Sequence, residues 1–261
     1  MSFHSALEQS NEHRNTLKMT TGSADLDPLI DGIQEGLFYL FYGNNHVALD
    51  ALVYTFLVKC VLPIKQRHGF ESMAVCLNNT DYYDQRKTAA LNPEKIGVAS
   101  KCAGIDPKIV FKNLYVHPAY NQQHQLTVAE QTADLIDSNN DDIKLLVVNN
   151  ITKFFRESKN KMETATVLKQ VIRIISKACT KNKVALVCTG HANSTARGLI
   201  PRPTGGVYLK HAANVIVHFK EFSKTSGLPS FKATLIKHQY TKTPKSAVMY
   251  VRKAGGMMLL D

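Results

Sequence analysis

A chain of 261 residues with a 44% hydrophobic fraction suits one large α/β domain or two small ones and can bury a real core. No apolar run approaches the length of a membrane span, and the stretch MSFHSALEQSNEHRN has no apolar signal core, so neither a membrane protein nor a secretory leader is expected. The net charge of +11 is lopsided: residues 1–143 hold 11 Lys+Arg against 17 Asp+Glu, residues 144–261 hold 21 against 4, and so basic a half points to a polyanion partner rather than a merely solvated surface.

In chain order, the first strand is the apolar run GLFYLFY, Gly36 to Tyr42. The loop GNNHVALD follows, Gly43 to Asp50, and then a helix over 49–62 with Leu52, Val53, Phe56 and Cys60 on one face. Strands are predicted at Met73 to Asn78, Asn113 to His117, Lys144 to Asn149 and Val184 to Gly190, with helices over 84–103, 125–139 and 162–181 between them. The helix over 162–181 turns Val167, Val171, Ile174, Ile175 and Ala178 inward and Lys169, Arg173, Lys177 and Lys181 outward. The remaining strands are Asn214 to Lys220, Lys232 to His238 and Ala247 to Lys253, the last two joined by the turn TKTPKS. Several strands are continuously apolar, as strands covered on both faces are. The expected fold class is α/β: a mostly parallel, doubly wound sheet with helices on both faces and an antiparallel C-terminal hairpin. The five cysteines are scattered and lack metal spacing, and read as buried thiols of a reducing compartment. The ten histidines show no metal-ligand spacing either.

The setting of GNNHVALD, between a strand and a helix, is that of a phosphate-binding loop, G-x-x-x-x-G-K-[ST]. Only the first glycine, Gly43, is present. Ala48 stands at the second glycine, Leu49 at the lysine and Asp50 at the serine or threonine. Phosphate binding needs curled backbone N–H groups, a lysine, and a hydroxyl on Mg²⁺. Asp50 would set a carboxylate where the phosphate or its metal belongs, although a carboxylate at a helix N-terminus is stabilising when no phosphate is there.

Four further segments carry a family match. TTGSADLDPLIDGI (Thr20 to Ile33), NLYVHPAYNQQHQ (Asn113 to Gln125), IKLLVVNNITKFFR (Ile143 to Arg156) and PTGGVYLKHAANVIVHFK (Pro203 to Lys220) occur in this order. Together they resemble the RecA-fold recombinases of the archaeal RadA type and their eukaryotic relatives. The resemblance implies a RecA-like ATPase core, over residues 19–261, of a kind that polymerises on single-stranded DNA. It places Asn149 at the metal-side aspartate of the Walker B strand, Asn79 or Thr80 at the catalytic glutamate, with Asp81 the nearest carboxylate, and His191 at the switch glutamine. With those groups and the lysine replaced together, ATP hydrolysis is not expected. Neither a nucleotide cofactor nor a metal is expected.

The resemblance also implies binding surfaces. Phe3-His4-Ser5-Ala6 fits the F-x-x-A motif, in which Phe3 and Ala6, on an arm over residues 1–18, would plug a neighbouring recombinase protomer or a second copy. Two loops would face single-stranded DNA: RESKNKMET, with Arg156, Lys159 and Lys161, and HANSTARGLIPRPTGG, with Arg197, Arg202 and a flexible pair Gly205-Gly206. Lys237, Lys242, Lys245, Arg252 and Lys253 add basic charge around the C-terminal hairpin. The implied function is a non-catalytic recombinase paralogue in recombination and repair, placed in the cytoplasm with the nucleoid, or in a nucleus. The alternatives are a filament cap that does not touch DNA, and an ATPase with an unorthodox site at Asp50, Asp81 or His191.

Overall fold

The computed structural model describes residues 16–80, 91–139, 141–193, 200–223, 229–254 and 257–260. Phe3, Ala6, Asp81 and Arg197 therefore lie outside the described residues. The described residues begin with β1 (Lys18–Met19), α1 (Asp27–Ile30) and β2 (Ile33–Gln34), where β1 and β2 form a small antiparallel ribbon. Then come β3 (Phe38–Gly43), α2 (His46–Val61), α3 (Ile64–Arg67), β4 (Met73–Asn79), α4 (Pro93–Cys102), α5 (Pro107–Lys112), β5 (Leu114–Ala119), α6 (Gln122–Ser138) and β6 (Ile143–Asn149). The second half holds α7 (Lys153–Glu157), α8 (Lys161–Lys181), β7 (Ala185–His191), α9 (Gly206–Ala212), β8 (Val215–Ser223), β9 (Ser230–Lys237), β10 (Lys245–Ala254) and β11 (Met257–Leu260).

Nine strands form one sheet in the order β11-β10-β9-β8-β3-β7-β6-β4-β5. The six strands from β8 to β5 run parallel; β8 to β11 form an antiparallel meander. The expected α/β architecture holds; among the described residues the large sheet has one strand more than the sequence suggested, β11, which follows the hairpin and pairs with β10, and the small ribbon of β1 and β2 is a further addition. Because side chains alternate across a strand, β3 sends Tyr39 and Phe41 into one core layer with α2, and Phe38, Leu40 and Tyr42 into the other, with α6 and α8. Both layers are apolar, which is why the central strands carry no polar alternation.

Two helices differ from expectation. α2 is buried on every side, not along one stripe: Leu49, Leu52 and Phe56 meet the sheet layer, while Tyr54 and Val58 meet Ile96, Ala99 and Val110 of α4 and α5. A helix packed between a sheet and a second layer of helices needs apolar residues all round. In α8 the inward face is Leu168, Val171, Ile172, Ile175, Ala178 and Cys179, with Val167 and Ile174 only half-buried, whereas the cationic stripe is exposed as expected. Of the cysteines, Cys102 is exposed and the other four are buried.

Candidate functional site

The parallel strands end in line. Gly43 pairs with His191 on one side and Phe219 on the other, and Asn78 pairs with Asn149. Their ends open on a cleft of about 320 Å³, in the position outside the carboxyl ends of strands where open α/β sheets bind ligands. His46, Asp50, Asn79, Lys95, Asn149, Lys153, Arg156 and His191 line it.

The strand-to-helix junction is short. α2 begins at His46, so only Asn44 and Asn45 separate it from β3. Positions 46–48, which a phosphate loop would hold open, are already helical. Asn45 caps the helix: its side-chain oxygen accepts from the Val47 N–H at 2.8 Å, and its amide nitrogen donates to Glu221 Oε2 at 3.1 Å. Ala48 and Leu49 are packed in the core, Leu49 with 5% exposure. Gly43 has a packing reason of its own, since a Cβ there would stand 2.5 Å from the Phe219 carbonyl oxygen. These residues do not fit a nucleotide phosphate. The Val47 N–H is taken up by the cap, no lysine reaches the cleft from position 49, and Asp50 lines it.

Asn149 sits in an amide network, in which the buried Oδ1 of Asn79 has no partner among the described residues. Its Nδ2 donates to Asn78 Oδ1 at 3.1 Å, its Oδ1 accepts from Thr189 Oγ1 at 2.7 Å, and its carbonyl accepts from Asn79 Nδ2 at 2.9 Å. Thr189 Oγ1 in turn accepts from the N–H of Asn150, whose φ of 54° is left-handed. A carboxylate at position 149 could not donate to Asn78, so the neutral amide suits its neighbours. Sequence reasoning missed Asn78 and Thr189; their only signal was a polar residue near the end of an apolar strand.

Burial disfavours the charged forms of Asp50 and His191 in the cleft. It raises the Asp50 carboxyl above the usual range, against the opposing pull of His46 and Lys95. It lowers His191 to about 4, with the positive charges of Arg156, His46 and Lys153 adding to the effect. His46 packs edge-on to His191 at 4.9 Å. A histidine titrating near 6.5 when unfolded and near 4 when folded stabilises the fold fully above pH 6.5 and loses that contribution as pH falls toward 4. Protonation of Asp50 acts in the opposite sense and offsets part of it. Thermal melts of a His191→Gln variant should therefore fall less steeply than the parent between pH 6.5 and 4; parallel curves would contradict the assignment.

The two basic loops are partly tied down. Arg156 lines the cleft and its guanidinium lies 3.5 Å from Glu157. Lys161 does not reach outward: its amino group donates to the carbonyls of Phe155 and Arg156, both at 2.7 Å, where it caps the last turn of α7. Lys159 and Arg202 are exposed. The neck of the second loop is closed by an Ala192–Pro203 bridge, an Asn193 N–H to Arg202 carbonyl bond at 2.8 Å, and the Tyr42 hydroxyl donating to the Pro201 carbonyl at 2.7 Å. Of the pair Gly205-Gly206, Gly205 caps α9 at φ 100°, and a Cβ there would meet Thr152, Leu209 and Leu168 at 3.0–3.2 Å, so it serves a tight helix start; Gly206 opens the helix at φ 81° with open space around it.

A mostly parallel sheet whose strand–helix junction opens on a cleft at the strand ends, with two loops beside it, defines a RecA-like core. The chain belongs to the Rad51 family, which matches residues 12–228. It is 30% identical over 227 residues to the DNA repair and recombination protein RadA of Ignicoccus hospitalis, covering 84% of this chain and 68% of that protein. Against the RadA of Aeropyrum pernix it is 28% identical over the same length, with the same coverage. Against that of Metallosphaera sedula it is 31% identical over 169 residues, covering 64% of this chain and 49% of the relative.

Proposed function

We propose that this chain acts in homologous recombination and DNA repair as a non-hydrolysing member of its family. It binds single-stranded DNA through its basic loops and docks on a RadA-type recombinase protomer, or on a second copy, through Phe3 and Ala6, and so modulates filament assembly. The observation that carries the non-catalytic part is the junction at Asn45. There the amides that would cradle a phosphate belong to a capped helix, and the neighbouring positions hold buried Ala48 and Leu49. The DNA-binding part is supported by the basic second half and by exposed Lys159 and Arg202.

Binding to a labelled single-stranded oligonucleotide over a salt series tests the DNA part. Affinity should fall with rising salt, and a Lys159→Gln, Arg202→Gln variant should bind about tenfold more weakly with a shallower slope, by about 0.7 for each phosphate no longer neutralised. Absence of binding at low salt, or binding without a slope, removes DNA from the proposal. Co-purification with the active recombinase, with and without Phe3→Ala, tests the docking arm; association unaffected by Phe3→Ala assigns it to another surface.

A further inference from the structure

The outward face of α8 serves neither the cleft nor the core. Lys169, Arg173 and Lys177 stand on it one turn apart, all exposed, and Lys181 extends the row. Four residues rise about 6 Å along a helix, so the row is straight and evenly spaced. Like charges four residues apart weaken a helix, and surfaces ordinarily intersperse both signs. Here the one acid in the helix is Glu163, in the first turn, and its carboxylate accepts from the Asn160 amide at 2.9 Å. Lys181 is paired with Asp137 of α6 at 3.1 Å. Among the described residues no carboxylate forms an ion pair with Lys169, Arg173 or Lys177. The middle of the row thus carries a self-repelling set of cations whose counterions must come from outside.

The head of the row is apolar. Met162 lies on the same face two turns before Lys169 and is 85% exposed. Tyr208 of α9 lies under Lys169, whose amino group is 5.4 Å from the ring centre, and the adjacent Val207 is 69% exposed. Evenly spaced cations with an apolar end match an amphipathic acidic helix, which sets carboxylates one turn apart and carries an apolar anchor. A nucleic-acid strand fits less well. The carboxylates of Glu163 and Asp137 bound the row at head and foot, where a continuous phosphate chain would meet them, and one face of the Tyr208 ring is already occupied by Lys169 rather than open to a base. We infer that this face docks an acidic amphipathic helix of a protein partner, with its carboxylates at Lys169, Arg173 and Lys177 and an apolar side chain against Met162 and Val207.

The probe is a fluorescein-labelled peptide of about 20 residues, long enough to hold a helix, with glutamates one turn apart on one face and a leucine at each end of that row. A scrambled peptide of the same composition is the control. Both are titrated over a salt series against the full chain, Lys169→Gln/Arg173→Gln/Lys177→Gln, Met162→Ser, and the loop variant Lys159→Gln/Arg202→Gln, after circular-dichroism melts confirm that each variant folds like the parent. The triple variant should bind the ordered peptide about tenfold more weakly, the worth of three exposed ion pairs together, with a weaker salt dependence. Met162→Ser should lose about fivefold with its salt dependence unchanged, as expected when an apolar anchor is removed. The loop variant should bind the peptide like the parent. A parent that does not bind the ordered peptide at low salt, or that binds the scrambled one equally well, overturns the inference. So does a triple variant whose affinity matches the parent's, or a loop variant that loses as much as the triple variant, which assigns the peptide to the loops. If oligothymidylate displaces the peptide and itself binds the triple variant about tenfold more weakly than the parent, the face is a nucleic-acid surface and the inference also fails.

Discussion

No phosphate release above background is expected when the protein is mixed with ATP and Mg²⁺, with or without single-stranded DNA. Removing one group that stabilises transferring charge typically costs about 10²–10³ in rate. On the proposed reading, the lysine, the metal-side hydroxyl, the metal-side carboxylate and the catalytic glutamate are replaced by Leu49, Asp50, Asn149 and Asn79 or Thr80. The further expectation is that restoring two of them fails. A Leu49→Lys, Asp50→Thr variant should remain without turnover, because α2 still starts at His46 and Asn45 still holds the Val47 N–H. Seating a lysine at a position 5% exposed within the core should also cost about 2 kcal/mol or more of stability. A coupled phosphate-release assay checks the first outcome and a denaturant melt the second. Turnover by the parent, or rescue by the double substitution, would show that the junction can open into a working loop.

A large loss of stability is expected from Gly43→Ala. A methyl group at this position would meet the Phe219 carbonyl oxygen at 2.5 Å, with the Phe219 carbonyl carbon and Cβ at 3.4 Å. The obstacle is backbone, so no rotamer change relieves it. β3 would have to move away from β8 at the pair Gly43–Phe219, next to the packed rings of Phe41 and Phe219. The cost should be about 3 kcal/mol or more, which lowers the melting temperature by roughly 6–12 °C in a domain of this size. A shift under about 2 °C would mean that the glycine is not held by this approach.

Much of this fold is written in the sequence, for a physical reason. Strands buried on both faces must be apolar throughout, and runs such as LLVV in β6 and LVC in β7 suit the middle of a helix–sheet sandwich. The elements that escape a sequence reading are short or locally ambiguous. β11 is four residues long, and its place depends on pairing with β10, not on its own pattern. α5 carries a readable start, Asp106 as cap followed by Pro107, within a segment too short to show periodicity. α2 starts at His46, three residues before the expected 49, because the spacing of a phosphate loop does not apply here. Asn45 before HVALD is itself a helix-cap signal. At the site, Leu49 and Asp50 are legible against the spacing of a phosphate loop, whereas Asn149 and Asn79 or Thr80 acquire their proposed places only through the family resemblance. The network from Asn149 to Asn78 and Thr189 is not legible, because it joins three strands through bonds that only the register creates. Lys161 shows the converse: a cation in a loop looks free in sequence, and only geometry reveals the two carbonyls it serves.

The bond between Asn45 and Glu221 joins the first turn of α2 to the last residues of β8. In a two-state machine a ligand shifts the balance only by its differential affinity for the two states. If the ligand's donors are engaged inside a helix cap, there is no such difference to exploit, and the junction acts as a fixed strut. On the proposed non-hydrolysing reading, a protein built this way has no internal timer. How long it stays on a strand or a neighbour would then be set by its concentration, by salt and by the partner's own cycle, and its cellular abundance would become the control variable.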